Sequence, residues 1–394
     1  MEKPLSQATG QVSDAVVPGA VGLWSLLVCS LFPMFGLFAM GPALPKVAET
    51  FAADPNAEIM AQLIGGASGF AFALASPIVG GLIGRWGYKS VYLVSLVGVA
   101  IVGTLPALLG SLPLIVMTRV VLGVFVAGGM TAGLAGISTL PAAVRPRMYG
   151  RNAVVASVGA MVTFPVVGAL ATYDWRWPFV IHLLALAVVP MAMTLPSSPR
   201  PVEQAAEPHG RGLGVSLTML AMAGFIGLVM YVGPVFTPFY LRTIDVTDPR
   251  LAALPMSAMS LASLLMTSNF GRLHARFGAR TLFVAILLLI GGGLLGAGLA
   301  RTLPAFIAGM FIVSCGIALF SPNINSHIAA TSANPARGIG WAMSAMFAVQ
   351  VIFPFLARAI SQAVGPTVVF YLFAGGALVA AGIVVTLSAR RNRA

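Results

Sequence analysis

Six side chains in this sequence combine useful chemistry with a place inside a long apolar run: Arg119, His182, Asn323, Asn325, His327 and Gln350. Arginine brings a permanent positive charge and a fork of donors. Histidine takes up and releases a proton near neutrality. The amides donate and accept without charge. Asn323 and Asn325, two positions apart, cannot share one helix face, so one is expected to line a cavity and the other to pack between helices. The ten carboxylates are Glu2, Asp14, Glu49, Asp54, Glu58, Asp174, Glu203, Glu207, Asp245 and Asp248, and none falls in the middle of an apolar run.

Those apolar runs set the class of protein. Of 394 residues 58% are hydrophobic and only 8% are charged, whereas a soluble chain carries roughly 25% charged residues. Most of the surface must therefore face lipid, the partner of every span. A span needs roughly 20 apolar residues. Six are expected near 21–44, 59–83, 90–110, 113–139, 152–172 and 178–196, and six more near 213–240, 251–270, 281–300, 303–328, 340–360 and 367–388. The fold class is then an all-α membrane protein. It divides into a tail 1–20, a six-helix half 21–196, a linker 197–212, a second half 213–388 and a tail 389–394. With both termini cytoplasmic, fifteen of the 22 basic residues face the cytoplasm, which satisfies the positive-inside rule. The net charge of +12 sits in short loops between spans, a distribution that argues against nucleic acid.

Several chemistries are not expected. Cys29 and Cys315 lie in apolar stretches without metal spacing and read as packing residues. No zinc spacing, nucleophile elbow or phosphate-cradling Gly-x-x-x-x-Gly-Lys-Ser/Thr loop occurs. Neither enzyme activity nor a metal or other cofactor is expected, and energy would come from a gradient.

The chain also repeats itself. Gly80-Gly-Leu-Ile-Gly-Arg-Trp-Gly-Tyr-Lys after the second run matches Gly271-Arg-Leu-His-Ala-Arg-Phe-Gly-Ala-Arg after the eighth. Gly80 pairs with Gly271, Arg85 with Arg276, Gly87 with Gly278 and Lys89 with Arg280, always 191 apart. Leu112-Pro113 and Leu303-Pro304 keep that offset, while Gly41-Pro42 and Gly233-Pro234 differ by 192. Such register at half the chain length indicates two related halves of the kind seen in transporters. The Gly-Pro pairs and Pro165 are candidate bending points.

These motifs make the chain similar to the major facilitator superfamily, and the resemblance covers nearly all of it. The loop after span two resembles the family signature Gly-x-x-x-Asp-Arg-x-Gly-Arg-Arg/Lys through Gly80, Arg85, Gly87 and Lys89, but Gly84 stands where the aspartate belongs. Arg119-x-x-x-Gly123, Gly159 with Pro165-Val-Val-Gly168, and Asp174-Trp-Arg-Trp-Pro-Phe179 resemble motifs of the twelve-span drug/proton antiporters. The resemblance implies a monomeric carrier in a bacterial inner membrane, exporting a small molecule by alternating access in exchange for protons. It implies gating by the two signature loops, where Gly84 and Ala275 cannot supply the family's latching carboxylate.

Exporters of lipophilic cations usually place a carboxylate in the membrane. Its absence points to a neutral or anionic amphipathic cargo. Phe35, Phe38, Met230 and Tyr231, in the paired spans one and seven, are candidates to line the cavity with Arg119, Asn323, Asn325 and Gln350. Arg119, His182 and His327 are the candidates for handling protons. Each has a plainer alternative as an interhelical hydrogen-bonder. Two other functions stay open: an organic-anion importer of the same fold using Arg119, and a non-transporting membrane sensor or assembly protein.

Overall fold

Lipid offers no partner to backbone N–H and C=O groups, so the apolar runs must close their hydrogen bonds within themselves as helices. The computed structural model of the chain describes residues 18–141, 144–197, 215–331 and 335–391, and among these the regular structure is helical throughout. The linker 198–212 and most of both tails lie outside the described residues. In chain order the helices are α1 (Ala20–Thr50), α2 (Ala57–Trp86), α3 (Tyr88–Leu108), α4 (Leu112–Ser138), α5 (Arg145–Tyr173) and α6 (Trp177–Met193). They continue with α7 (Leu217–Arg242), then Pro249–Leu299, α10 (Leu303–Thr331), α11 (335–364) and α12 (Thr367–Arg391). Pro249–Leu299 is two helices joined at Gly278, α8 (249–277) and α9 (279–299). Among the described residues, and with Pro249–Leu299 counted once, nine helices are long and apolar enough to cross a membrane, ten if the bent α11 counts as one span.

The sequence marks many of these starts. Proline stands in the first turn of α4, α5 and α8, where its missing N–H would have no partner anyway. Asp248 caps α8 by accepting from the Arg250 N–H at 2.8 Å, and Asp174 accepts from the Arg176 N–H at 2.8 Å before α6. Carboxylates thus end helices here instead of entering the bundle.

Two expectations need correction. The segment 271–280 is not a loop: α8 stays helical through it, and only Gly278 breaks the backbone. Likewise α2 runs on to Trp86, leaving Gly87 as the whole turn into α3. A chain that leaves the apolar region need not unwind, because Arg85 or Arg276 extends into water from a helix as readily as from a loop.

Three helices break at mid-depth. α1 widens into a π-helical turn at Met34–Phe38 and tightens at Gly41–Ala43, and α7 does the former at Val232–Phe236. α11 bends by 46° beside a tight turn at Val349–Val351. Pro42, Pro234 and Pro354 lie at these breaks, where each ring removes a backbone donor and crowds the preceding turn. Large apolar side chains such as Ile78 and Val379 stay exposed on outer helix faces, as lipid permits.

Candidate functional site

α1–α6 meet α7–α12 along a seam. At one end Glu49 of α1 pairs with Arg242 of α7 at 2.5 Å, Arg358 Nη1 donates to Asn56 Oδ1 at 3.2 Å, and Arg250 Nη2 reaches Thr172 Oγ1 at 3.3 Å. Deeper in, Gly41 packs so tightly on the Pro234 carbonyl that any Cβ would collide with it. At mid-depth Phe72 of α2 meets Phe347 of α11, ring centroids 5.0 Å apart. All these contacts lie between the Glu49 end and mid-depth. Among the described residues, α4 and α10 make no hydrogen bond, ion pair or ring contact across the seam.

Just to the Glu49 side of the Phe72–Phe347 ring contact the three breaks converge. Phe38 comes from the π turn of α1, Tyr231 from the residue before the π turn of α7, and Gln350 from the tight turn of α11. Phe38 and Phe353 flank the Tyr231 ring at 5.9 and 6.2 Å. Tyr231 and Gln350 are fully buried, yet the Tyr231 hydroxyl and both amide atoms of Gln350 have no hydrogen-bond partner. Both groups close on Gly69 of α2: a Cβ there would strike Gln350 Oε1 and lie 3.4 Å from Tyr231 Oη. A buried polar group left unmade costs about 1–3 kcal/mol. An uncharged donor–acceptor set left unsatisfied between aromatic rings is one that a ligand's polar group can complete.

Arg119 lies elsewhere, enclosed by α3, α4 and α6. It is fully buried, donates through Nη2 to the Gly103 carbonyl at 2.9 Å and stacks over Phe179 at 5.0 Å, while Nε and Nη1 lack partners. His182, also fully buried, packs on Gly103 beside it. Its Nδ1 lies 2.8 Å from the Phe179 carbonyl oxygen and its Nε2 3.2 Å from that of Phe35. Two proton-handling candidates therefore adjoin each other, and Phe35 joins them through its backbone.

The other candidates scatter. Met230 and Phe35 are half-buried on the seam helices α7 and α1. Asn323 is fully buried and ties α10 to α9 by donating to the Ala279 carbonyl at 3.0 Å, whereas Asn325 is half-buried with its Oδ1 unpartnered. His327 packs edge-on against Phe283 at 6.0 Å. Gly80, Gly84 and Arg85 are exposed, with open space around Gly84. Lys89 Nζ instead grips the carbonyls of Met193 and Leu195 at 2.7 and 2.6 Å, closing the C-terminal end of α6. Arg276 lies 5.4 Å over Phe277, Arg280 is exposed, and Pro165 is exposed on α5. Cys29 and Cys315 are free thiols.

Sequence reasoning missed Gly69, Phe72, Phe347 and Phe353. The run Gly65-Gly66-Ala67-Ser68-Gly69 signalled a close approach without naming the partner. For Glu49 and Glu58 it left open a solvated loop or an outer vestibule. In the structure both line a 580 Å³ cleft at the Glu49 end, with Asp54, Phe239 and Tyr240.

Comparison with known proteins agrees with this architecture. The family model described as Major Facilitator Superfamily matches residues 26–247 and 214–394. The chain superposes on the D-xylose-proton symporter with a TM-score of 0.79 at 16% identity, covering 92% of this chain and 96% of that one. For the nucleoside transporter NupG the values are 0.73 and 15%, covering 93% and 98%. For the human organic anion transporter MFSD10 they are 0.66 and 18%, covering 92% and 99%. A comparison with curated proteins finds no match. Both in its sequence and in its helical architecture, this chain belongs to the Major Facilitator Superfamily.

Proposed function

We propose that this chain is a twelve-span secondary transporter that exports a small amphipathic neutral or anionic solute by alternating access. Twelve spans follow if the bent α11, the shorter apolar α6 and the two helices either side of Gly278 each cross the membrane. With both termini cytoplasmic, the Glu49 end faces outward and the conformation described is closed outside.

One observation carries the cargo assignment: the buried, unpartnered Tyr231 hydroxyl and Gln350 amide converge on Gly69 between aromatic rings with no carboxylate among them. Five carboxylates at the Glu49 end are otherwise occupied. Glu49 pairs with Arg242, Glu58 accepts from Gln62, and Asp54, Asp174 and Asp248 cap turns. An uncharged polar pair selects a solute that offers both a donor and an acceptor on an apolar frame. Proton antiport, the coupling of the drug exporters that the sequence resembles, supplies the driving force.

A second reading keeps the fold and reverses the direction. The free Nε and Nη1 of Arg119 would then anchor an organic anion during uptake, and one superposed relative is an organic anion transporter.

The test is growth of a sensitive bacterial host, with and without the chain, across toxic cationic, neutral and anionic compounds. Resistance confined to neutral or anionic compounds is expected, and Gln350→Leu should abolish it. Resistance to lipophilic cations alone would overturn the cargo assignment. Heightened sensitivity to anions, removed by Arg119→Ala, would favour the importer.

A further inference from the structure

His182 stands apart from the Tyr231–Gln350 site, and one proton cannot satisfy its surroundings. Both ring nitrogens face carbonyl oxygens, Nδ1 that of Phe179 at 2.8 Å and Nε2 that of Phe35 at 3.2 Å. A carbonyl oxygen only accepts. A neutral imidazole carries a single N–H, so either tautomer presses a nitrogen lone pair against an oxygen, while the doubly protonated ring donates to both.

The two acceptors belong to different helices. Phe179 lies on α6, the helix of His182 itself, and Phe35 lies in the π-helical turn of α1. That turn also carries Phe38, which packs on Tyr231 across the seam. Among the described residues, the charged group facing the ring is Arg119 of α4, which shares Gly103 as a neighbour. α3 and α1 present the Gly103 and Phe35 backbone there and no titratable side chain. Arg119 repels an imidazolium, and the two carbonyls hold it. Withdrawing the Phe35 carbonyl therefore leaves the Phe179 carbonyl alone to hold the ring against that repulsion.

We propose that His182 is a proton-binding site whose protonation ties the α1 turn to α6 and so favours closure of the Glu49 end. The proton enters from water onto the unprotonated ring nitrogen while the Phe35 carbonyl is withdrawn, and it returns to water when α1 moves and that carbonyl leaves again. This rests on the alternating-access reading and names its coupling group: a histidine, where Glu49 and Glu58 lie only in the end turns of α1 and α2.

The experiment needs no cargo. Spin labels are placed on Thr50→Cys and Thr247→Cys, exposed positions on α1 and on the α7–α8 turn at the Glu49 end. Their distance distribution is measured in lipid nanodiscs at about pH 5.5 and about pH 8.5, either side of the usual histidine value of about 6.5. The short-distance population should dominate in acid and shrink in alkali, and His182→Gln should lose that shift. An identical shift in both proteins, or none with His182 present, overturns the proposal.

Should His182→Gln fail to fold, ¹⁵N-imidazole resonances are read from a variant carrying His209→Gln, His274→Gln and His327→Gln, which leaves His182 as sole reporter. Two protonated nitrogens in acid and one in alkali support the proposal, and one bare nitrogen at both values overturns it. Neither arm depends on resistance in the growth panel, so the proton site and the cargo assignment can fail separately.

Discussion

Gly87 and Gly278, 191 residues apart, hold nearly the same backbone conformation: φ 78° and ψ 154° at the first, φ 73° and ψ 162° at the second. Each is a one-residue turn that lets a long helix reverse without a loop, α2 into α3 and α8 into α9. That region of φ/ψ space is essentially reserved for glycine. The sequence repeat is thus a repeat of a mechanical part.

Replacing either glycine by alanine should cost about 1–3 kcal/mol. Space is not the obstacle at Gly278, where a Cβ would meet nothing within 4 Å, so the loss should come from backbone strain alone. Thermal unfolding followed by size-exclusion of detergent-solubilised protein checks this. Both variants should lose stability to a similar degree, and a neutral Gly278→Ala would show that the turn is not strained.

Tyr231→Phe removes an unpartnered buried hydroxyl and nothing else. The protein should gain up to about 1 kcal/mol in stability while losing resistance in the growth panel. That opposed pair of effects marks a group kept for a ligand. A variant destabilised by Tyr231→Phe would mean that the hydroxyl has a structural partner.

Gly41→Ala places a methyl group against the Pro234 carbonyl. The seam should then fail to close at the Glu49 end, leaving the chain open there. Thiol labelling of a cysteine introduced at Thr237, fully buried on the seam helix α7, should rise severalfold in this variant. Unchanged labelling would place the pivot elsewhere.

Glu49→Gln removes the Glu49–Arg242 ion pair, whose side chains are 57% and 28% exposed. At such exposure the pair contributes roughly 0–1 kcal/mol. Folding stability should barely change, and the open population should grow only a few-fold in the spin-label distances.

The elements of this fold were more legible than its contacts. Apolar runs gave the helices, Pro42 and Pro234 lie at breaks of α1 and α7 whereas Pro165 sits inside the unbroken α5, and the spacing of Gly87 and Gly278 announced the repeated turns. Helices that are apolar nearly all round carry little record of which face meets which neighbour. Hence the convergence of Tyr231 on Gln350, the pairing of Arg119 with His182 and the grip of Lys89 on the end of α6 were not readable. Each joins residues far apart in the chain. Nor did the signature loop show that Lys89, two residues beyond the turn, holds the Met193 and Leu195 carbonyls at the end of α6.

The most direct test is accumulation of labelled compounds in energised cells carrying the chain, compared with cells carrying Gln350→Leu and with the empty host. Neutral or anionic amphipathic compounds should accumulate least with the unaltered chain and return to the empty-host level with Gln350→Leu. Equal extrusion of a lipophilic cation by both forms would contradict the account, since a site built on an uncharged amide would then have no part in transport.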